Sequence, residues 1–284
     1  MSSFNSKEEL LAIALESAKK AGAEVMHYYQ HGNFTAEVKE DDSPVTCADI
    51  AANDILMAHL QKMTPDIPIM SEEVGTVPLE QRNGWNKYWL LDPIDGTGEF
   101  ILASGDFAVN IALIEDGHPT IGVIYAPDKK TIYYGQKGLG AFKDDGQSIT
   151  ELKVATYDKS IKGRSRAIKV AVSRRQHHEL MGQYLNKDDY HFEYVPLGSC
   201  SLKNCIIAEG LADCYLRMGP TGEWDTGASQ CILEQAGGSI VSSEYLPLTY
   251  NKRESVMNPD FFSLGNKNIA WQDVIRAHKT LRDY

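Results

Sequence analysis

The sequence predicts an α/β protein in which helices are layered against sheets. Three observations lead there. Residues 6–60 carry apolar stripes at helical spacing. From Tyr88 to Lys143 the pattern changes to short apolar runs separated by turn residues. Beyond Ile168 strands and helices alternate.

The first helix starts at Ser6, with Glu9 three residues on as a capping box. Leu11, Ala14, Leu15, Ala18, Ala21, Val25 and Tyr29 form its stripe. The polar run Lys39–Pro44 reads as a mobile loop. Thr46 opens a second helix with Ile50, Ile55, Leu56 and Leu60 as apolar positions, and Thr46 with Asp49 makes its cap. Strands are expected at Phe107–Ile114 and Thr120–Tyr125, joined by the turn Glu115-Asp116-Gly117-His118-Pro119. Thr131–Tyr134 and Gly140–Lys143 extend the same antiparallel sheet, and Asp144-Asp145-Gly146 turns the chain again. The basic segment Asp158–Arg166 is the expected junction between a first half, residues 1–157, and a second, residues 158–284. In the second half a strand is expected at Ile168–Val172 and a helix at Gln176–Leu185. A short helix at Leu202–Glu209 follows, then a strand at Ala212–Leu216 and a helix at Asp225–Gln235 closed by Gly237-Gly238.

The 284 residues suffice for a large core, and the apolar fraction of 43% and charged fraction of 24% are those of an ordinary globule. A net charge of −11 argues against a nucleic-acid groove but not against a small anion bound through metal ions and local cations. No apolar run is long enough to span a membrane, and the N-terminus lacks the pattern of a secretory signal. The five cysteines, Cys47, Cys200, Cys205, Cys214 and Cys231, show no C-x-x-C spacing and read as reduced, mostly buried thiols. A cytoplasmic location is expected, with peripheral attachment to the inner membrane left open.

The chemistry concentrates in four places. The apolar run Trp89-Leu90-Leu91 leads into Asp92-Pro93-Ile94-Asp95-Gly96-Thr97, where Pro93 and Gly96 allow a tight bend and both carboxylates can converge. Gly96 and Thr97 can open a helix whose free amides bind anions. Ser71-Glu72-Glu73 follows another apolar run, Trp224-Asp225-Thr226 starts a helix, and Thr46 to Asp49 starts a further one. Taken singly, Glu72 reads as solvated surface and Asp225 as an N-cap, and Asp49 can be merely a first-turn acid; for Asp92 and Asp95 the turn-former reading is the lesser one, and a functional role is favoured even singly. Clustered carboxylates repel by roughly 4 kcal/mol per pair about 4 Å apart at an effective dielectric near 20. Gathering Glu72, Asp92, Asp95 and Asp225 therefore demands cations. Oxygen ligands without histidine or cysteine favour Mg²⁺ over Zn²⁺.

In combination and in order, these motifs resemble the inositol monophosphatase-like, Mg²⁺-dependent, lithium-sensitive phosphatases, over nearly the whole chain. A finer match resembles the bacterial CysQ-type 3′(2′),5′-bisphosphate nucleotidase branch. It rests on Glu99-Phe100-Ile101, Val123-Ile124-Tyr125-Ala126-Pro127, Gly198-Ser199, Ser201-Leu202-Lys203 and Gly219-Pro220-Thr221-x-x-Trp224-Asp225-Thr226. Two departures lie where substrate preference can be set. That branch commonly has Lys at Gly98, and commonly reads Ser-Arg-Ser-His where this chain has Ser173-Arg174-Arg175-Gln176-His177.

The resemblance implies an αβαβα sandwich and removal of the 3′-phosphate of 3′-phosphoadenosine 5′-phosphate or its sulfated analogue. It assigns Glu72, Asp92 and the Ile94 carbonyl to one Mg²⁺, and Asp92, Asp95 and Asp225 to a second. A third ion near Glu72 and the Lys39–Ser43 loop stays open. Glu72 and Thr97 are expected to orient the attacking water, and Asp49, bonded to the Thr97 hydroxyl, to help draw off its proton. Asp95, Asp225 and the Gly96 and Thr97 amides are expected around the substrate. Lys203 and Arg217 are the candidate cations for the phosphate that is retained, with Arg174 a further one; as plain surface charge they need no function. The expected partner is a small phosphorylated molecule, with no nucleic-acid polymer and no integral membrane association. Monomer and homodimer both stay open. The alternatives are an inositol or other sugar-phosphate phosphatase of the same superfamily, and a non-catalytic metal or phosphate sensor. A haloacid-dehalogenase-type phosphatase is disfavoured, because its two aspartates lie two residues apart and these lie three apart.

Overall fold

The structure, a computed structural model, describes residues 6–32, 34–38, 44–75, 77–157, 166–174 and 181–276. Helix α1 (Lys7–His31) starts at the Ser6 capping box, with both reciprocal bonds formed. Strands β1 (Ala36–Val38) and β2 (Pro44–Thr46) pair antiparallel, and α2 (Cys47–Met63) follows from the Thr46–Asp49 cap. Next come β3 (Ile69–Ser71), a 3-10 turn at Glu72–Val74, and the single-turn α3 (Leu79–Arg82). Strand β4 (Lys87–Asp95) runs through the aspartate motif and gives way to the short α4 (Thr97–Ile101). Strands β5 (Ala108–Glu115), β6 (His118–Ala126), β7 (Thr131–Gln136) and β8 (Gly140–Asp144) form the expected meander, and β9 (Ile149–Glu151), which the sequence did not predict, extends it. The second half holds β10 (Ala167–Ser173), β11 (His191–Leu197), α5 (Cys200–Ala208), β12 (Cys214–Arg217), α6 (Glu223–Gln235), β13 (Ser239–Ser242), β14 (Phe261–Leu264) and α7 (Trp271–Val274).

Strands β3 to β9 make one seven-stranded sheet in sequence order, antiparallel except for the parallel β3–β4 pair. A five-stranded sheet has the order β11-β10-β12-β14-β13, with its first three strands parallel. Alternation along β4, β5 and β6 divides the large sheet into two apolar faces. Trp89, Leu91, Val109, Ile111, Leu113, Ile121 and Val123 pack under α1 and α2. Leu90, Ala108, Ala112 and Ile124 face the other way and share a core with Leu202, Cys205, Ala228, Ile232, Ala171, Tyr215 and Phe261. Helices α5 and α6 are thus sandwiched between the two sheets. The outer face of the small sheet buries Val170, Val172, Leu216 and Phe262 against Met181, Leu185, Trp271 and Val274. The layers run helix, sheet, helix, sheet, helix, as the sequence predicted.

Some expectations shift. The last major helix begins at Glu223, so Asp225 sits in its first turn at the third helical position rather than at the cap. The Lys39–Ser43 loop, most of the Asp158–Arg166 junction and residues 176–180 of the Gln176–Leu185 helix lie outside the described residues. The five cysteines are free, four of them buried. No helix among the described residues is long and apolar enough to cross a membrane.

Helix α6 lies directly on the large sheet because glycines leave room for it. A Cβ at Gly122 on β6 would stand 2.2 Å from the Ala228 carbonyl oxygen. Its cross-strand partner Gly135 faces Ile232 in the same way. Gly122→Ala is expected to cost about 1–3 kcal/mol through overpacking against backbone, read by denaturant unfolding, and to displace the helix that carries Asp225.

Candidate active site

Residues three apart on a regular strand point to opposite faces. Asp92 and Asp95 escape this rule through a bulge. Asp92 lies opposite Asn110 and Asp95 opposite Ala108, so β4 spends three residues where β5 spends two. Pro93, which has no N–H to give the ladder, sits inside the irregularity. Ile94 turns its side chain into the α1–α2 core. Gly96 then closes the bend at φ 95°, where a side chain would be strained.

The result is a cluster in which one oxygen each from Asp92, Asp95 and Asp225 lies within 4.8 Å of the others. Asp92 is 1% exposed, and neither of its carboxylate oxygens has a hydrogen-bond partner among the described residues. A carboxylate in that position either keeps its proton or binds a cation. Burial raises the Asp92 pKa well above the ordinary range, and the charges of Glu72, Asp95, Asp225 and Asp49 add to it. Asp225 is raised too, by burial first and then by Asp95 and Glu72, against Arg217 and the Gly222 amide. Glu72, half-buried on the 3-10 turn, is not one of the three clustered acids, yet of the charges it acts most strongly on Asp92. An all-oxygen donor set with a bare buried member fits a hard divalent cation.

The three clustered acids are held differently. Asp225 Oδ2 accepts the Gly222 amide at 2.7 Å. Asp95 accepts the Ser199 hydroxyl at 2.5 Å, the Cys200 amide at 3.0 Å, the Ser201 amide at 2.7 Å and the Ser201 hydroxyl. These donors open α5, so the helix N-terminus complements the charge. Sequence reasoning did not assign them: Gly198-Ser199 and Ser201-Leu202-Lys203 stood out as motifs, but backbone amides leave no residue signature. Ser199 pays for this placement with φ 55° and ψ 143°, a region almost confined to glycine that costs of order 1–3 kcal/mol.

On the opposite side Thr97 donates its hydroxyl toward Asp49 Oδ1 at 3.0 Å and the Ile94 carbonyl at 3.1 Å. Asp49 Oδ2 accepts the Thr46 amide at 2.8 Å and hydroxyl at 2.6 Å. The cap that starts α2 thereby fixes the acid that meets Thr97. Burial raises the Asp49 pKa, while its bonds to Thr46 oppose the rise.

The candidate phosphate-binding cations differ. Arg217 is half-buried at the end of β12, with Nη2 on the Pro220 carbonyl at 2.9 Å, and its charge reaches Asp225. Lys203 is only 3% exposed. Its ammonium donates to the Ser199 and Leu197 carbonyls and lies 5.0 Å from the Tyr215 ring centroid. It is not the exposed cation that its residue type suggests. Arg174 is paired with Asp106 at 2.8 Å.

A five-layer sandwich with carboxylates gathered at an Asp-Gly-Thr bend defines the class: the chain belongs to the Inositol monophosphatase family, whose profile matches residues 6–273. Its relatives include the 3′(2′),5′-bisphosphate nucleotidase CysQ of Aggregatibacter actinomycetemcomitans, 41% identical over 95% of this chain and 97% of that protein. The enzyme of the same name from Escherichia coli K12 is 40% identical over 86% of this chain and 95% of its own. Among solved structures, CysQ from Bacteroides thetaiotaomicron superposes with a TM-score of 0.76 at 32% identity, covering 90% of this chain and 97% of that one.

Behind the site, α6 is anchored by a buried network. Arg82, fully buried, donates to Asn251 Oδ1 at 2.6 Å and to the carbonyls of Val77, Arg253 and Glu254. The Asn251 amide donates to the Glu223 carboxylate. Burial pushes Glu223 from 4.5 to about 7, against the Asn251 bond and the charges of Arg253 and Arg82. A raised carboxyl pKa means that the folded state keeps a proton the unfolded chain has lost. Stability from this group is complete below pH 4.5 and is lost as pH rises to about 7. Glu223→Gln is therefore expected to gain melting temperature relative to the parent between pH 5 and pH 8, as thermal scans at the two pH values will show.

Proposed function

We propose that the chain is a Mg²⁺-dependent phosphomonoester hydrolase that removes the 3′-phosphate of 3′-phosphoadenosine 5′-phosphate, leaving AMP, and acts likewise on the sulfated analogue. The observation that carries the reaction class is the buried carboxylate of Asp92, without a hydrogen-bond partner among the described residues, with Asp95 and Asp225 gathered beside it. The substrate is supported by relatives about 40% identical that bear the name 3′(2′),5′-bisphosphate nucleotidase.

Glu72, Asp92, Asp95, Asp225 and the Ile94 carbonyl are the groups that would hold Mg²⁺. Bound there, the metal supplies an acidified water and offsets charge on the leaving oxygen. The chain's own groups do the rest. Thr97 gives its hydroxyl hydrogen toward Asp49, which leaves its lone pairs to accept a hydrogen from the attacking water. As the water oxygen bonds to phosphorus and the bond to the ribose oxygen breaks, the water proton passes by way of Thr97 to Asp49. The departing alkoxide is protonated from solvent. Gly96 and Thr97 offer their amides to the phosphoryl oxygens at the head of α4. Lys203 and Arg217 are the cations we assign to the phosphate that stays. No covalent intermediate forms on the protein.

Phosphate release in the presence of Mg²⁺ tests the reading. 3′-Phosphoadenosine 5′-phosphate and its sulfated analogue are expected to turn over well ahead of inositol 1-phosphate and fructose 1,6-bisphosphate. Preference for an inositol or sugar phosphate would reassign the substrate, and binding without release would make the protein a sensor. Asp92→Asn is expected to fold yet to lose on the order of 10³-fold in rate, together with the rise in melting temperature that Mg²⁺ confers on the parent.

A further inference from the structure

Two bends build the site, one at Gly96 and one that leads through Gly198 and Ser199 into α5, and they lie against each other. A Cβ at Gly96 would stand 3.0 Å from the Asp106 carbonyl oxygen and 3.5 Å from the Ser199 Cα. A Cβ at Gly198 would lie 2.6 Å from the side chains of both Asp106 and Glu99. Glycine at both places lets Asp106, just ahead of β5, sit between the bends.

The Asp106 carboxylate is buried, and it is gripped from three directions. Oδ1 accepts Lys129 Nζ at 2.7 Å, from the turn between β6 and β7. Oδ2 accepts Arg174 Nη2 at 2.8 Å, from the residue that follows β10, and the Gly198 amide at 2.9 Å. The Asp106 amide in turn donates to the Ser104 hydroxyl at 3.2 Å. Charge-assisted bonds of this kind fix a carboxylate firmly. Asp106 is not one of the clustered acids; its route to them is Gly198. The Gly198 bond holds the peptide just ahead of Ser199, which sits at φ 55°, a conformation that an ordinary side chain leaves when free to do so. The Ser199 hydroxyl, the next two amides and the Ser201 hydroxyl all converge on Asp95. A rotation of Ser199 to negative φ would swing these donors away together, and a grip on the preceding peptide opposes it.

We propose that Asp106 is a positioning residue for the metal centre: pinned by Lys129 and Arg174, it holds the Gly198 amide, fixes the bend at Ser199 and thereby aims the α5 donors at Asp95. This rests on the reading of Asp95 as a metal ligand given above. It gives Arg174 to the pin rather than to the substrate. Partners that orient a metal ligand usually contribute about 10–100-fold to metal affinity.

The test uses the full chain, calorimetric titration with Mg²⁺ alone and steady-state kinetics. Asp106→Ala is expected to weaken Mg²⁺ binding about tenfold. The rate it loses is expected to return as Mg²⁺ is raised, with KM unchanged for bisphosphate and monophosphate substrates alike. Asp106→Asn keeps an oxygen for the Gly198 amide and is expected to lose less than about threefold in Mg²⁺ affinity. Equal Mg²⁺ affinity of parent and Asp106→Ala, an Asn variant as impaired as the Ala one, or a KM rise confined to bisphosphates would each overturn the proposal. Should Asp106→Ala not fold, Asp106→Leu fills the space without an acceptor and carries the same expectation. Loss of the fold in both would overturn the proposal as well, since Asp106 would then serve folding and not aim. A parent protein that binds no Mg²⁺ would instead defeat the reading of the centre, and the role of Asp106 with it.

Discussion

Mutual repulsion among buried carboxylates is the constraint around which this molecule is organised. Asp92 lies at the end of an apolar strand with no donor to satisfy it among the described residues, while Asp95, Asp225 and Glu72 raise the electrostatic cost of its charge. A fold optimised only for stability would not assemble this cluster. The rest of the architecture keeps it from relaxing apart. The bulge turns Asp95 back toward Asp92, α5 saturates Asp95 with donors, and α6 carries Asp225 in from the other half of the chain. Glycines at 122 and 135 bring α6 down to touching distance of the sheet.

The division of labour among the acids follows from their partners. Asp95 and Asp49 accept several hydrogen bonds each and have fixed orientations. Asp92 is bare, which leaves its oxygens open to a cation. Asp49 belongs at once to a helix cap and to the site, so the folding signal at Thr46 and the acid that contacts Thr97 are one feature. That economy ties the start of α2 to the bend after β4 through a single side chain.

Much of this was legible in the sequence because it is written in local patterns. The Ser6–Glu9 and Thr46–Asp49 caps, the Asp116-Gly117 turn and the apolar alternation of β5 and β6 all rest on neighbours in the chain. The aspartate motif was legible because Pro93 and Gly96 constrain the backbone around it. The order of the small sheet was not, since β14 enters between β12 and β13 from far along the chain and its run of Phe261 and Phe262 has no distinctive period. Nor was the burial of Lys203, because lysine is almost always solvated and its buried partners here, the Leu197 and Ser199 carbonyls and the Tyr215 ring, come from tertiary structure. The donors to Asp95 come largely from main-chain amides, which no residue type announces.

The bulge in β4 makes the spacing of the motif a matter of parity. An odd interval places both acids on one side only because one residue is left out of the count against β5. Deleting Pro93 or Ile94 would restore an even interval, and Asp92 and Asp95 would still share a face. What would vanish is the peptide group pushed out of register, and with it the Ile94 carbonyl that now meets the Thr97 hydroxyl. The irregular strand thus contributes a main-chain oxygen that a regular one would have consumed in its own ladder, so the motif tolerates exchange of side chains at that point more readily than any change in length.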